Sequence, residues 1–477
     1  MNDYDVIVIG AGPAGENVAD VADVAHGGGL RVLVVEKELV GGECSYWGCM
    51  PSKALLRPGD VISAARRTPG ADAAVTEEID VEEALARRDA IAAHWDDAGQ
   101  VKWLEGIGVH FVRGKARLLG ERLIEVKDTD GAVSEYRASK AVVIATGTVA
   151  AVPPIPRLRE IRSWDNRDIT TAKEVPARLL ILGGGAIGVE MAQAWRALGS
   201  EAVTIIEAKD HLLAREEPFA GQELAVQLER EGITVLTNTK MTRAEREAED
   251  APVVVTVATQ SGEQTLIGDE LVVAVGRRAA TSDLGLETVG LQPGRFIEVD
   301  DHLVAKDVPG RWLYAVGDVN GRALLTHAGK YQARIAGAYI AGLTAIRAIG
   351  DSKALPRVVF THPQIAATGL TTAQARDAGI SVEVVDFDLG RIPAASTLGR
   401  GYRGTWRLVI DGDRRVIVGA TFVGPMAGEA IHAATVAIVG EVTLDRLWHA
   451  IPSFPTLSEI WLRLLEAYRD QHHAVFV

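Results

Sequence analysis

This sequence has little of several features that would point to a particular class of protein. It contains two cysteines, no excess of basic side chains and no uninterrupted apolar run of 18 residues. The net charge of −14 disfavours nucleic acids and anionic membranes as partners, because no basic surplus is available to neutralise phosphates. Without a long apolar run, we also expect no membrane-spanning helix.

The start of the chain lacks the pattern of a secretory signal. Asp3 and Asp5 occupy positions where a signal peptide would carry positive charge. We therefore expect a cytoplasmic protein, in which structural disulfides are uncommon. The length of 477 residues allows two to four domains.

Cys44 and Cys49 are the only cysteines, and they lie five positions apart. A close pair in a cytosolic chain more often serves redox or metal chemistry than structural stapling. No third cysteine or nearby histidine completes a zinc set, so we expect no metal site. In an ideal helix these Cα atoms would lie roughly 8–9 Å apart, which is beyond the reach of a disulfide. A bridge would therefore require a distorted turn, which Gly48 and Pro51 would permit.

Two segments have the pattern of a dinucleotide-binding unit, in which a strand, a glycine turn, a helix and a strand follow one another. The first glycine makes the tight turn, the second lets the backbone approach a pyrophosphate, and the third lets the helix pack against the strand. An acid about twenty residues on accepts hydrogen bonds from ribose hydroxyls. The first copy consists of strand Asp5–Ile9, Gly10, Gly12, Gly15, strand Arg31–Val35 and Glu36. The second copy consists of strand Leu179–Leu182, Gly183, Gly185, a helix from about Ala186, Gly188, strand Ala202–Ile206 and Glu207.

Two such sites in one chain indicate a relay in which one cofactor stays bound and the other exchanges. Both units predict parallel sheets. Glu207 would repel a 2′-phosphate, which favours NADH over NADPH at the second site. A third region, after about residue 354, alternates strand-like and helical patterns, with helices predicted near 425–440 and 457–470. This pattern predicts a separate α+β domain.

The segment from Gly41 to Lys53 resembles the active-site disulfide of the class I pyridine nucleotide–disulfide oxidoreductases. This is the family of dihydrolipoamide dehydrogenase, glutathione reductase and mercuric reductase. The resemblance covers nearly the whole chain. Besides the glycine turns it includes Ala145-Thr146-Gly147, Ala274-Val275-Gly276-Arg277, Ala315-Val316-Gly317-Asp318, Leu325-Thr326-His327-Ala328 and the tail Pro455–Glu459.

The resemblance implies an α/β fold with two Rossmann-like dinucleotide-binding domains and a C-terminal α+β dimerisation domain. We expect an FAD-binding domain at 1–150 and 276–350, an NAD(P)-binding domain at 151–275, and the dimerisation domain at 355–477. It also implies a homodimer in which each active site includes residues from the partner subunit.

The resemblance further implies which residues hold the two cofactors. Asp318 would bind the ribityl chain of FAD, and Thr326 would lie near its ring. The full FAD set would be Gly10, Gly12, Gly15, Glu36, Gly42, Lys53, Ala116, Thr146, Gly147, Asp318 and Thr326. The NAD set would be Gly183, Gly185, Ala186, Ile187, Gly188, Glu207 and Gly276.

Catalytic roles follow from the same resemblance. Cys49 would lie against the isoalloxazine ring and form a thiolate–flavin charge-transfer pair, and Cys44 would be the outer thiol that exchanges with substrate. Lys53 and Glu190 would pair near the flavin N5, where a positive charge favours the reduced flavin anion and the Cys49 thiolate.

The tail departs from the family pattern. In the disulfide-reducing members a histidine directly before the Pro-Thr of the tail shuttles a proton to and from the outer thiol, and a glutamate orients it. Here Phe454 occupies the histidine position, while Glu459 remains. General acid–base assistance is typically worth ~10²–10⁴-fold, so efficient lipoamide dehydrogenase activity is not expected.

Other groups near the tail are weaker substitutes for that histidine. The remaining nearby histidines are interpreted as surface or packing residues: His432, His449, His472 and His473. Glu459 could act alone if desolvation kept it protonated, or it could form a structural hydrogen bond at a dimer interface.

These observations leave three functions open. The first is an FAD-dependent NAD(P)H oxidoreductase that passes electrons through Cys44 and Cys49 to a disulfide that needs little proton transfer. The second is a reductase of quinones, metal ions or other small-molecule acceptors, which the presence of Phe454 supports. The third is a non-catalytic flavoprotein partner or redox sensor, against which the complete second glycine turn argues. The tail has no further cysteine, unlike mercuric reductase and the large thioredoxin reductases.

Overall fold

The structure is a computed structural model, and it describes residues 2–23 and 29–476. Helices and strands occur throughout this part of the chain. The helices are α1 (Pro13–Asp23), α2 (Gly42–Tyr46), α3 (Cys49–Arg67), α4 (Val81–Ile91), α5 (Ala98–Gly106), α6 (Asn166–Thr171), α7 (Ala186–Ala197), α8 (Pro218–Arg230), α9 (Thr326–Ile340), α10 (Gly350–Lys353), α11 (Thr372–Asp377), α12 (Pro393–Leu398), α13 (Ala427–Val439), α14 (Leu444–Trp448) and α15 (Glu459–His472).

The strands form five sheets within the described residues. They are β1 (Asn2–Ile9), β2 (Val32–Glu36), β3 (His110–Gly120), β4 (Leu123–Asp128), β5 (Val133–Ile144), β6 (Thr148–Ala150), β7 (Arg178–Leu182), β8 (Ala202–Ile206), β9 (Ile233–Leu236), β10 (Lys240–Glu245), β11 (Val253–Thr259), β12 (Gly262–Gly268), β13 (Glu270–Val273), β14 (Arg277–Ala279), β15 (Leu313–Ala315), β16 (Arg357–Val359), β17 (Gln364–Gly369), β18 (Val382–Asp388), β19 (Thr405–Asp411) and β20 (Val416–Gly424).

One compact unit comprises the chain up to Pro51 together with Arg88–Ala151 and Gly276–Asp351. Its sheet has a parallel core in the order β15-β5-β1-β2-β3, and β4 joins β3 and β5 through antiparallel pairing. The central strand β1 is apolar on both faces, as a strand covered on both sides must be. Its carboxyl end leads directly into the first glycine turn.

The second compact unit comprises Ser52–Arg87, Val152–Val275 and the chain from Ser352 onward. It contains the parallel sheet β13-β7-β8-β9 and the antiparallel sheet β10-β11-β12. A further sheet, β16-β17-β20-β19-β18, is antiparallel throughout. Its core is centred on the stacked rings of Trp406 and Phe422, which lie 3.9 Å apart.

The predicted fold class is confirmed, and the predicted elements differ from the observed ones by a few residues. Strand β8 has the predicted bounds, β7 begins one residue earlier, and β1 begins at Asn2 rather than Asp5. Helices α13 and α15 correspond to the two helical patterns predicted near the end of the chain. The division into three domains stays a prediction. Among the described residues, no helix is both long and apolar enough to cross a bilayer.

Candidate active site

Cys44 and Cys49 lie on either side of a break between two helices. Helix α2 ends before Trp47, whose backbone leaves the helical region with φ −136° and ψ 2°, and α3 begins at Cys49. Gly48 suits this position because a Cβ there would lie 3.0 Å from a carbonyl oxygen of α2. The structure therefore has the distorted turn that a bridge would require. Pro51 lies outside this turn, in the first turn of α3, where a helix tolerates proline.

The break brings the two thiols together. No disulfide joins Cys44 and Cys49 in the structure, their side chains contact each other, and the Oγ1 of Thr326 lies 3.3 Å from the Cys49 Sγ. The contact with Cys49 and burial raise the pKa of the Cys44 thiol above its usual range, while Thr326 and the ammonium of Lys330 oppose that rise. Cys44 therefore depends on nearby groups to become a thiolate.

The first glycine turn has the geometry that a bound diphosphate requires. A Cβ on Gly10 would lie 2.6 Å from the carbonyl oxygen of Ala145, and one on Gly15 would lie 1.9 Å from that of Gly10. Gly12, in contrast, has nothing within 4 Å of its Cβ position, and a Cβ on Gly42 would lie 2.8 Å from the Gly12 Cα. Packing thus explains the first and third glycines, and the second faces open space, as the FAD assignment predicts.

The second glycine turn repeats this arrangement. Cβ atoms on Gly183 and Gly188 would lie 2.6 Å and 2.0 Å from carbonyl oxygens, whereas the Cβ position of Gly185 is open within 4 Å. Ala186 and Ile187 form the first turn of α7, so their backbone amides belong to the helix N-terminus that would face a phosphate.

The acids at the ends of β2 and β8 bind their own glycine turns. Glu36 accepts hydrogen bonds from the Ala11 N–H at 2.7 Å and from the amide two positions beyond itself at 2.8 Å. Glu207 likewise accepts hydrogen bonds from the Gly184 N–H and from the backbone amide two positions after itself, each at 2.7 Å. Sequence reasoning assigned these acids to ribose and missed this role in fixing the turn. A carboxylate oxygen can accept more than one hydrogen bond, so both uses are compatible.

Asp318 is the end of a partly buried chain of polar side chains. Its Oδ2 accepts a hydrogen bond from the Thr148 hydroxyl at 2.9 Å, and that hydroxyl accepts one from the Arg277 Nε at 2.6 Å. Burial raises the pKa of Asp318, and Thr148 and Arg277 oppose the rise. Thr148 was not predicted, because a single threonine after a strand gives no signal in sequence.

The hydroxyl group of Thr146 also indicates that this compact unit binds a polar ligand. Its hydroxyl oxygen is buried and has no hydrogen-bond partner within the described residues. Buried polar atoms are rarely left unpaired, so this oxygen suits a site that a bound cofactor completes. The other predicted FAD positions are Ala116, buried on β3, and Gly147, which has a φ of +68°. The predicted NAD position Gly276 has a φ of +139° and precedes β14.

Lys53 and Glu190 form an ion pair. The Lys53 Nζ lies 2.8 Å from the Glu190 Oε2, and the Glu190 side chain is 5% exposed. Its other oxygen accepts a hydrogen bond from the Phe360 N–H at 2.9 Å, and the Lys53 ammonium lies over the Phe360 ring at 4.7 Å. Lys53 stands four residues after Cys49 on α3. The expected pairing is present, and its position beside a flavin stays a prediction.

Phe454 and Ile451 form an exposed apolar tip in the segment between α14 and α15. The Phe454 side chain is 70% exposed, and that of Ile451 is 90% exposed. His432 and His449 are also exposed, whereas His472 stacks on the ring of Tyr468. Within the described residues, no three His, Cys, Asp or Glu side chains come together as a metal site.

Glu459 is buried and engaged within its own helix. Its Oε1 accepts hydrogen bonds from the Arg463 Nη2 at 2.7 Å and Nε at 3.1 Å. Its Oε2 is buried without a hydrogen-bond partner among the described residues. The arginine pairing was missed because an i,i+4 Glu–Arg pair is common on helix surfaces and does not reveal that the acid is buried.

Comparisons with known proteins place this geometry in a family. Residues 4–338 match the description "Pyridine nucleotide-disulphide oxidoreductase", and residues 355–464 match the dimerisation domain of the same family. A dihydrolipoyl dehydrogenase of Thermus scotoductus is 35% identical over 475 residues, which cover 99% of this chain and 98% of that one. A mercuric reductase of Staphylococcus aureus is 30% identical, with 96% and 81% covered.

Solved structures agree with these relatives. The Cu(II) complex of the HOCl-induced flavoprotein disulfide reductase RclA from Escherichia coli has a TM-score of 0.82 at 26% identity, covering 98% of this chain and 99% of that one. LpdA from Mycobacterium tuberculosis has a TM-score of 0.83 at 26% identity, with the same coverage. The chain belongs to the pyridine nucleotide–disulphide oxidoreductase family. It is an FAD-dependent NAD(P)H oxidoreductase, since members of this family use both cofactors.

Proposed function

We propose that this enzyme reduces disulfides that release an acidic thiol, with electrons passing from NADH through FAD to Cys44 and Cys49. The observation that carries this proposal is the pair of adjacent thiols at the break between α2 and α3. Thr326 forms a hydrogen bond with this pair at Cys49. A disulfide with an acidic leaving thiol suits the site because Phe454 cannot donate the proton that a basic leaving thiolate needs.

Different side chains have different roles around the two thiols. When bound, FAD supplies the two-electron chemistry that connects nicotinamide to dithiol. The Thr326 hydroxyl hydrogen-bonds the Cys49 sulfur and helps to hold it in position. The Lys53 ammonium is fixed by the buried carboxylate of Glu190, so its positive charge stays in place. Cys44, as the outer thiol, attacks the substrate.

NADH is the proposed donor because Glu207 lies at the end of β8, where the family binds the adenosine ribose. The carboxylate is held by two backbone amides and cannot swing away to make room for a phosphate. A 2′-phosphate would therefore be repelled. A homodimer is proposed on the strength of the dimerisation domain at 355–464. The cytoplasmic location stays a prediction from the sequence.

A series of disulfides tests the proposal. The FAD-loaded enzyme is reduced anaerobically with NADH and mixed in a stopped-flow instrument with disulfides that range from a nitroaryl disulfide to oxidised lipoamide. We expect the rate of reoxidation to rise with the acidity of the leaving thiol, by about 100-fold or more across the series. Equal rates for all members would contradict the proposal. Cys44→Ser, the control, should still accept electrons from NADH but should lose disulfide reduction.

A second candidate is the reduction of quinones or metal ions, and the exposed apolar tip at Phe454 and Ile451 favours it. Relatives include a mercuric reductase, and the RclA structure is a Cu(II) complex. If an electron acceptor of this kind is physiological, Cys44→Ser should retain quinone reduction, because a quinone can take electrons without forming a mixed disulfide.

A further inference from the structure

Residues 93–97 lie between α4 and α5, and the first three have a backbone conformation that L-amino acids rarely adopt. Ala93, His94 and Trp95 have φ angles of +48°, +51° and +57°. Residues other than glycine normally enter this left-handed region singly, because their Cβ approaches the following carbonyl oxygen. Such strain persists only where surrounding contacts impose it, and it is concentrated at functional sites. The contacts of segment 93–97 therefore indicate its role.

Trp95 contacts the end of the helix that carries Cys44. Its indole N–H donates a hydrogen bond to the carbonyl oxygen of Tyr46 at 3.1 Å. Tyr46 is the last residue of α2, where carbonyl groups have no partner within the helix. Cys44 lies two residues before this carbonyl group, and Cys49 lies three residues after it. The indole thus holds the chain at the break that brings the two cysteines together.

Asp97 contacts the chain on the other side of Cys44. Its Oδ2 accepts a hydrogen bond at 2.7 Å from the N–H of Val40, which lies two residues before α2. Asp97 is buried, and the Arg113 Nη2 lies 2.5 Å from the same oxygen. The Tyr46 hydroxyl donates to the Val40 carbonyl oxygen at 3.1 Å and so connects the two ends of this stretch. Segment 93–97 therefore fixes α2 from both of its ends.

Arg88 supports the indole of Trp95. The Arg88 side chain is fully buried and pairs with Asp89 at 2.6 Å, and its Cζ lies 5.9 Å from the centroid of the Trp95 ring. A buried guanidinium needs such partners, and a cation over the face of an indole is a favourable arrangement. The ring is therefore held by its face while its N–H bonds Tyr46.

We propose that Trp95 and Asp97 are positioning residues of the redox pair, which fix the chain on both sides of Cys44 so that its thiol stays within reach of Cys49. This inference rests on the proposed function, in which the two thiols form and break a disulfide. The left-handed turn at 93–95 brings the indole and the carboxylate to opposite ends of α2. Both groups act through the position of the Cys44 backbone.

The equilibrium of the cysteine pair with dithiothreitol measures this positioning. In the exchange the S–S bond of oxidised dithiothreitol breaks and the Cys44–Cys49 bond forms. Two protons and two electrons pass from the enzyme dithiol to the reagent, which becomes a dithiol. The equilibrium constant rises with the effective concentration of one cysteine thiol at the other, and this concentration falls when the Cys44 segment gains freedom.

The FAD-loaded enzyme is equilibrated without oxygen in mixtures of reduced and oxidised dithiothreitol and quenched with acid, and its free thiols are counted by mass spectrometry after alkylation in denaturant. Trp95→Phe keeps an aromatic ring over Arg88 and removes the N–H donor, so we expect the equilibrium constant for disulfide formation to fall about fivefold. Asp97→Ala should lower it at least as much. Asp97→Asn retains an oxygen for the Val40 N–H and should restore most of the loss.

Trp103→Phe provides the matched control, since Trp103 is an exposed indole on α5 in the same compact unit. Its constant should equal that of the wild type. If Trp95→Phe and Asp97→Ala also match the wild type, and only the free energy of unfolding changes, the inference is wrong and the proposed function stands. If the wild-type enzyme forms no disulfide at any ratio of the reagent, both are wrong. The two Asp97 variants decide the question if Trp95→Phe does not fold.

Discussion

Phe454 stands at the position where the resemblance in sequence predicts a proton-transferring histidine, and Glu459 follows it five residues later. The sequence left two roles open for this acid, an isolated proton donor or a structural group. The structure favours the structural role, because Arg463 donates hydrogen bonds to one oxygen of Glu459 and the Glu459 side chain is 5% exposed. An acid that is held this way stabilises α15 and is not free to move toward a substrate.

Replacement of Arg463 tests the structural role of Glu459. Arg463→Met would leave a buried carboxylate without its charged partner, and we expect a loss of about 1–3 kcal/mol in the free energy of unfolding. Chemical denaturation of the FAD-loaded protein measures it. Arg469→Met is the control on the same helix, because Arg469 pairs with the exposed Asp470 and should contribute less than about 0.5 kcal/mol. Equal effects of the two substitutions would contradict a structural role for Glu459.

At the scale of the element, the two glycine turns explain why their backbone geometry could be predicted from the sequence. Each glycine position has a distinct steric requirement, so the pattern implies the geometry before the structure is known. The roles of Glu36 and Glu207 in holding the turns were missed, because a hydrogen bond from a backbone amide requires no particular residue at the donor position. The break between α2 and α3 was predictable only because a cysteine pair five residues apart demands it.

A matched pair of substitutions separates packing from binding in the second turn. Gly185→Ala places a methyl group in open space, so folding should be preserved while NADH binding weakens by at least about tenfold. Gly188→Ala places it 2.0 Å from a carbonyl oxygen, so the unit itself should be destabilised. Thermal unfolding and NADH titration, followed by fluorescence, distinguish the two. A Gly185→Ala enzyme that binds NADH as tightly as wild type would contradict the assignment of this turn.

At the scale of the whole molecule, the family pattern predicted the fold and both cofactors. It could not predict which side chains hold the predicted site residues in place. Arg463 is an ordinary charged residue on an amphipathic helix, and its i,i+4 spacing from Glu459 does not reveal in sequence that the carboxylate is buried. No local motif of the sequence specifies the electron acceptor either.

The most direct test of the central claim is a count of thiols through one catalytic cycle. Because the chain has two cysteines, mass spectrometry after alkylation in denaturant reads their redox state without ambiguity. We predict no free thiol in the air-oxidised enzyme, two after anaerobic reduction with NADH, and none again after addition of one equivalent of a nitroaryl disulfide. Two free thiols at every stage would mean that Cys44 and Cys49 do not carry the electrons, and the proposed relay from NADH through the cysteine pair to a disulfide would be wrong.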